Sequence, residues 1–340
     1  MSIRPRQRPP RGSSADRAHR RCGTAGRLGA RHAAGSAHAT EGGSGAYLLG
    51  SRDTLAGIVP PPGSYLSVDE ININGTAPFI SIGGAVVANP SLNVWVTKVN
   101  FTHSFVGTYG GGRLAITFTQ PVVTGSMTFE GTVFNGIAGS FTDNDTGLGD
   151  TVITPSWGFD TKTSHWNFQI SLYVPTGYYE PARVTLHPPS FQVLSFGKNR
   201  VAIDPTVAYT YLNPKSGFEF TGALGVTFSA INTATDYKTA PEVHGEAVVM
   251  QHLKNGLAFG PAGYFYQQTG NDSGSGAAAL QAAYGAKTLQ ARVFGAGPLI
   301  SYSTKIGNHS LSLKAKYTWE FGARRRFESD VAQATLAFGF

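Results

Sequence analysis

Glu242, His244 and Glu246 stand two residues apart, a spacing that puts all three side chains on one face if the segment is a β-strand. Two carboxylates and an imidazole on one face could hold a metal or move protons. They could equally be one polar wall, paired with cations elsewhere in the fold. Lys314 and Lys316, again two apart, are the natural partners, and the wall reading is the one we adopt. Glu219 and His165 sit at matching polar positions in their own segments and read the same way. No catalytic residue, metal set or cofactor follows from this pattern. The Gly-Ser stretches Gly42–Gly45 and Gly274–Gly276 lack the Lys-Ser/Thr that grips phosphates and read as linker and loop. No G-x-S-x-G is present, although a lipid-cleaving barrel enzyme need not have one.

The elements that would carry these residues show a period of two. In Ser310–Phe321 the odd positions are Leu311, Leu313, Ala315, Tyr317, Trp319 and Phe321, and the even ones are Ser, Ser, Lys, Lys, Thr and Glu. Phe218, Phe220, Leu224, Val226 and Phe228 oppose Glu219, Thr221, Thr227 and Ser229. Trp166, Phe168, Ile170, Leu172 and Val174 oppose His165, Asn167, Gln169, Ser171 and Tyr173. Leu114, Ile116 and Phe118 oppose Arg113, Thr117 and Thr119. A helix would repeat its apolar residues at i, i+3, i+4 and i+7, and these segments do not.

Twelve strands are predicted, near 64–74, 93–106, 112–121, 150–160, 164–175, 200–211, 217–230, 241–252, 256–267, 289–304, 309–321 and 330–340. Short turns such as Asn213–Gly217, Lys254-Asn255-Gly256 and Ile306-Gly307-Asn308 alternate with long segments at 122–149, 176–199, 231–240, 268–288 and 322–329. Short periplasmic turns, long outer loops and alternating strands are the signature of an outer-membrane barrel, with both ends of an even-stranded barrel on the periplasmic side. A soluble sandwich or propeller has no reason for that asymmetry. The fold class expected is therefore all-β, one antiparallel transmembrane barrel of about twelve strands. The last strand alternates Ala332, Ala334, Leu336, Phe338 and Phe340, an ending that resembles the signal read by outer-membrane assembly machinery.

Composition agrees. Only 14% of residues are charged, with 43 Gly, 21 Phe, 14 Tyr and 4 Trp, where a soluble domain carries about 25% charge. No segment supplies the roughly 20 apolar residues of a membrane helix. The uncharged stretch Ile71–Thr97 is broken by Pro78, Gly83-Gly84 and Asn89-Pro90. The net charge of +7 comes from residues 1–39, which hold nine Arg and one Asp; the remainder has 18 Lys+Arg against 19 Asp+Glu. The body is neutral and carries no nucleic-acid footprint. Cys22, the only cysteine, lies in that basic tail, so residues 40–340 have no thiol or disulfide chemistry.

Three regions follow. Residues 1–39 read as a leader-like tail: Ala37-His38-Ala39 has the small-x-small form of a cleavage site, but the apolar core that should precede it is missing; a plain basic arm is the alternative. Residues 40–63 read as a linker or a small plug, with Ala46-Tyr47-Leu48-Leu49 the part that could tuck into a lumen. Residues 64–340 are the barrel.

An ordered set of motifs adds a resemblance. Gly147-Leu148-Gly149-Asp150, Val174-Pro175-Thr176-Gly177, Pro181-Ala182-Arg183, Asp204-Pro205-Thr206-Val207, Tyr211–Gly217, Asp236-Tyr237-Lys238, Tyr264–Gln268, Asp272–Gly276 and Arg292–Pro298 together resemble the proteobacterial family of outer-membrane proteins linked to the meta-pathway of phenol degradation, often labelled transporters. The likeness covers about residues 41–340. His187–Phe196 departs from it, and Arg324-Arg325-Arg326 is more basic than expected in the last outer loop. It implies a channel for small hydrophobic or aromatic solutes such as phenols, in contact with outer-membrane lipid, and it assigns no functional residues. The alternatives are a lipid-modifying barrel enzyme and a structural or adhesive barrel.

Overall fold

The computed structural model describes residues 41–340 except 83–84, 134–136 and 187–188; the leader-like tail 1–39 lies outside the described residues. Twelve strands form the wall. They are β1 (Gly63–Thr76), β2 (Ser91–Ser104), β3 (Arg113–Val133), β4 (Thr151–Asp160), β5 (Ser164–Val174), β6 (Ala202–Leu212), β7 (Phe218–Ser229), β8 (Glu242–His252), β9 (Leu257–Gln268), β10 (Arg292–Ile306), β11 (His309–Arg324) and β12 (Glu328–Gly339). Each pairs antiparallel with its chain neighbours, and β1 also pairs with β12, from Tyr65↔Gly339 to Thr76↔Glu328. The sheet has no free edge. That is the condition for strands to cross a bilayer, since every backbone N–H and C=O must find a partner in the wall.

The alternation read from the sequence sorts the two faces inside out relative to a soluble protein. Phe168, Ile170, Leu224, Leu313, Trp319 and Phe321 are exposed on the exterior. Their neighbours Gln169, Ser171, Glu219, Thr221, Lys316 and Thr318 are buried within. A charge turned toward lipid costs roughly 2–4 kcal/mol near the midplane, so the phase of each strand is fixed. Glu70 is an outward charge on β1, and its carboxylate accepts the Thr97 hydroxyl at 2.9 and 3.0 Å.

Several stretches expected to be loops carry structure. Residues 122–133 carry β3 past the end of β4 and pair there with a strand at Ile137–Leu148, while 122–128 still pair with β2 on the other side. Short hairpins occur at Phe79–Ile82 with Ala85–Ala88 and at Arg183–Leu186 with Pro189–Gln192. A ten-residue helix, α1 (Ser275–Tyr284), sits between β9 and β10 and ends at Gly285, whose φ of 58° closes it in the left-handed conformation.

Candidate functional site

The interior of the barrel is occupied by the chain's own residues 41–62. Glu41 lies at the outer end, where it accepts from Arg200 at 2.8 Å and from Asn232 and Thr235. Ser44 accepts from Lys198 at 2.7 Å. At the periplasmic end the Gly57 N–H donates to Thr210, and the Val59 and Pro60 carbonyls accept from Arg113 and Ser104. The segment thus threads the lumen from one end to the other before turning into β1. The periplasmic position expected for the N-terminal side of the barrel holds for β1 and not for Glu41.

In mid-lumen the segment meets the predicted wall residues one after another. The Tyr47 hydroxyl donates to Glu246 at 2.6 Å, and the same carboxylate accepts the backbone N–H groups of Gly50 (2.9 Å) and Arg52 (2.6 Å). The Tyr47 ring stacks on His244 with centroids 3.7 Å apart and planes 13° from parallel. Asp53 bridges Lys314 at 2.8 Å and Lys316 at 3.2 Å. Nearer the periplasm Glu219 accepts from Thr54 and from the Leu55 N–H, both at 2.8 Å. These are charge-assisted bonds in a water-poor space, stronger than their surface equivalents.

The electrostatics of the segment follow its burial. Burial, then the Glu246 carboxylate, pushes the Tyr47 phenol well above its usual range, so it stays protonated and donates. Burial also raises the Asp53 carboxyl, but Lys314 and Lys316 more than reverse this and hold it below the ordinary carboxylate value.

Each predicted wall residue has a definite place. Glu242, His244 and Glu246 share the inward face of β8, all buried. Glu242 accepts from Tyr266 at 2.5 Å and faces the backbone of Gly45, where a Cβ would stand 2.7 Å from its Oε1. Lys314 and Lys316 face inward on β11, Glu219 on β7, and His165 bonds Asp160 at 2.8 Å near the periplasmic turn of β5. The cross-barrel pairing of Glu242 and Glu246 with the two lysines needs correction. Among the described residues no such ion pair forms, because Asp53 of the threaded segment lies between the walls and takes both ammonium groups.

Two carboxylates of this arrangement are not among the residues singled out by sequence. Asp204, fully buried on β6, accepts from Thr206 and Thr227 at 2.5 Å and meets His244 Nε2 at 2.7 Å, which places a proton on that nitrogen. The inward alternation Ala202, Asp204, Thr206, Ala208, Thr210 would have found it. Asp53 had no such signal, since it belongs to no strand.

Tyrosine facing a buried carboxylate recurs on the wall and in the outer connections. Tyr264 donates to Glu320 at 2.9 Å, and Tyr237 donates to Asp272. With Tyr47–Glu246 and Tyr266–Glu242, four buried carboxylates among the described residues accept a phenolic hydroxyl.

The sequence pattern of the family described as "Putative MetA-pathway of phenol degradation" matches residues 76–336. No curated protein matches the chain in sequence. Among solved structures, the COG4313 outer membrane channel from Pseudomonas putida F1 is similar over 86% of this chain and 100% of its own, at 14% identity and a TM-score of 0.62. The β domain of the Bordetella autotransporter BrkA matches over 83% of this chain and 100% of its own, at 9% identity and a TM-score of 0.45. The translocator domain of autotransporter NalP from Neisseria meningitidis matches over 83% and 90%, at 12% identity and a TM-score of 0.44. At 14% identity the likeness to the COG4313 channel is one of fold.

Proposed function

The chain belongs to the MetA-pathway of phenol degradation family, and from that membership we propose that this bacterial outer-membrane barrel is a channel for small aromatic solutes of the phenol type, closed in this state by its own residues 41–62. Tyr47 carries the proposal. It is a phenol held in the middle of the lumen, ring on His244 and hydroxyl on Glu246. A free phenol offers the same flat face and the same donor, so it fits the site once the segment withdraws. Recognition by one stacked face and one placed acceptor is how small-molecule sites orient a largely apolar ligand. The segment contributes no strand to the wall and is held mainly by side-chain contacts, which suits an element that moves while the barrel stays closed.

Chemical rescue in planar bilayers tests this. Tyr47→Ala should conduct more than the wild type, and added phenol should lower that conductance by refilling the vacated place. Cyclohexanol, of similar size but without an aromatic face, should not. Adding Glu246→Gln to the Tyr47→Ala barrel should weaken the phenol effect several-fold. Equal responses to phenol and cyclohexanol would refute aromatic recognition at this site.

A further inference from the structure

Arg292 begins β10 on its outward face and lies directly opposite Arg324 at the end of β11. The pairing depends on an irregularity: register shifts between Arg292 and Phe294, where Gly322 takes a φ of 65°. Even-numbered residues of β11 otherwise face the lumen, as Lys316 and Glu320 do. The extra residue turns Arg324 onto the exterior beside Phe321, the kind of re-aiming that bulges perform. Like charges set directly opposite one another destabilise a sheet, yet here a bulge brings them together.

Arg325 adds a third guanidinium, donating to the Gln290 carbonyl at 3.2 Å. Among the described residues no carboxylate forms an ion pair with Arg292, Arg324 or Arg325, whereas Arg326 turns inward to Glu320 at 3.4 Å. The Nε atoms of Arg292 and Arg325 are buried without a hydrogen-bond partner. Burial, then the neighbouring Arg324, draws the Arg325 guanidinium below its usual range.

Beneath the arginines stands an aromatic collar. The Arg292 guanidinium lies 5.7 Å over the Phe294 ring, and Phe294 stacks with Phe321 at 6.0 Å. Below the collar the exterior is hollowed into an apolar groove of about 1090 Å³. Ala296, Pro298 and Ala315 contribute small side chains, Tyr317 and Trp319 stand beside them, and Glu70 lies on the far side. From Arg292 to Ala296 is four residues, about 13 Å along the strand, so the groove begins within one leaflet of a hydrocarbon core about 30 Å thick.

We propose that Arg292, Arg324 and Arg325 bind the phosphate groups of an outer-leaflet lipid whose acyl chain lies in the groove below. Guanidinium forks match phosphate oxygens in pairs, and the aromatic collar sits where an interfacial girdle belongs. The phosphates also supply the counter-charge that the three arginines lack within the protein. This site is on the outside of the barrel and does not depend on what passes through it.

Native mass spectrometry of the full chain in detergent, titrated with bisphosphorylated lipid A, dephosphorylated lipid A and inorganic phosphate, tests the proposal. The phosphorylated lipid should bind at least tenfold more tightly than the dephosphorylated one. Arg292→Gln with Arg324→Gln should remove that preference, while Lys305→Gln, exposed at the other end of β10, should keep it. If the double variant fails to fold by heat-modifiability in gels, Arg324→Gln alone carries the test, and Arg324→Lys should retain part of the preference. Equal binding of both lipids, an unchanged preference in the folded arginine variants, or displacement of lipid A by inorganic phosphate at equal concentration would each overturn it.

Discussion

Asp53 faces two lysines of the far wall, and its loss would leave two buried cations unpaired. Breaking such a pair costs about 3–5 kcal/mol, so Asp53→Asn should loosen the threaded segment and raise single-channel conductance at neutral pH. The wild type should do the same in acid. Free of the lysines, the carboxyl titrates at its ordinary value near 3.9; docked, it titrates lower. The docked state therefore keeps its full advantage above about pH 4 and loses it as pH falls through the depressed value. Wild-type conductance should rise over that window, and Asp53→Asn should already be high above it. A folded wild-type barrel that stays closed at pH 3 in planar bilayers would show that Asp53 is no latch. At this scale only one side of the pair was legible. Lys314 and Lys316 were recognisable as inward by alternation, but Asp53 lies outside any periodic segment.

Strand phase belongs to the elements. Leu313 faces out and Lys314 faces in to Asp53, so Leu313→Arg places a charge in lipid at roughly 2–4 kcal/mol and should impair assembly. Lys314→Leu should assemble normally while loosening the segment. Heat-modifiability after outer-membrane extraction ranks the two, and the reverse order would mean that the faces are exchanged. All twelve barrel strands were legible because period two is a local property. The bulge at Gly322 was not, because one extra residue is visible only against the strand it pairs with. Helix α1 lay in a segment read as Gly-rich loop, although its Ala-rich run SGAAALQAAY has strong helix propensity.

At the scale of the molecule, closure and filling are separate. Every barrel ladder is formed by residues 63–340, and residues 41–62 add none. Deleting 41–62 should leave a heat-modifiable barrel of raised conductance. Failure to assemble, with the export signal intact, would make the segment part of the folding core instead of a movable filling.

The amino-acid sequence by itself determined the strands, their number, the face each presents and the compartment, because a wall with lipid on one side and polar groups on the other constrains every second residue. Tertiary structure decided the partners. Asp53 and Lys314 are 261 positions apart, and only closure of β1 on β12 together with the threading of residues 41–62 brings them within 2.8 Å. Alternation says which way a side chain points, and says nothing about what stands opposite it across the lumen.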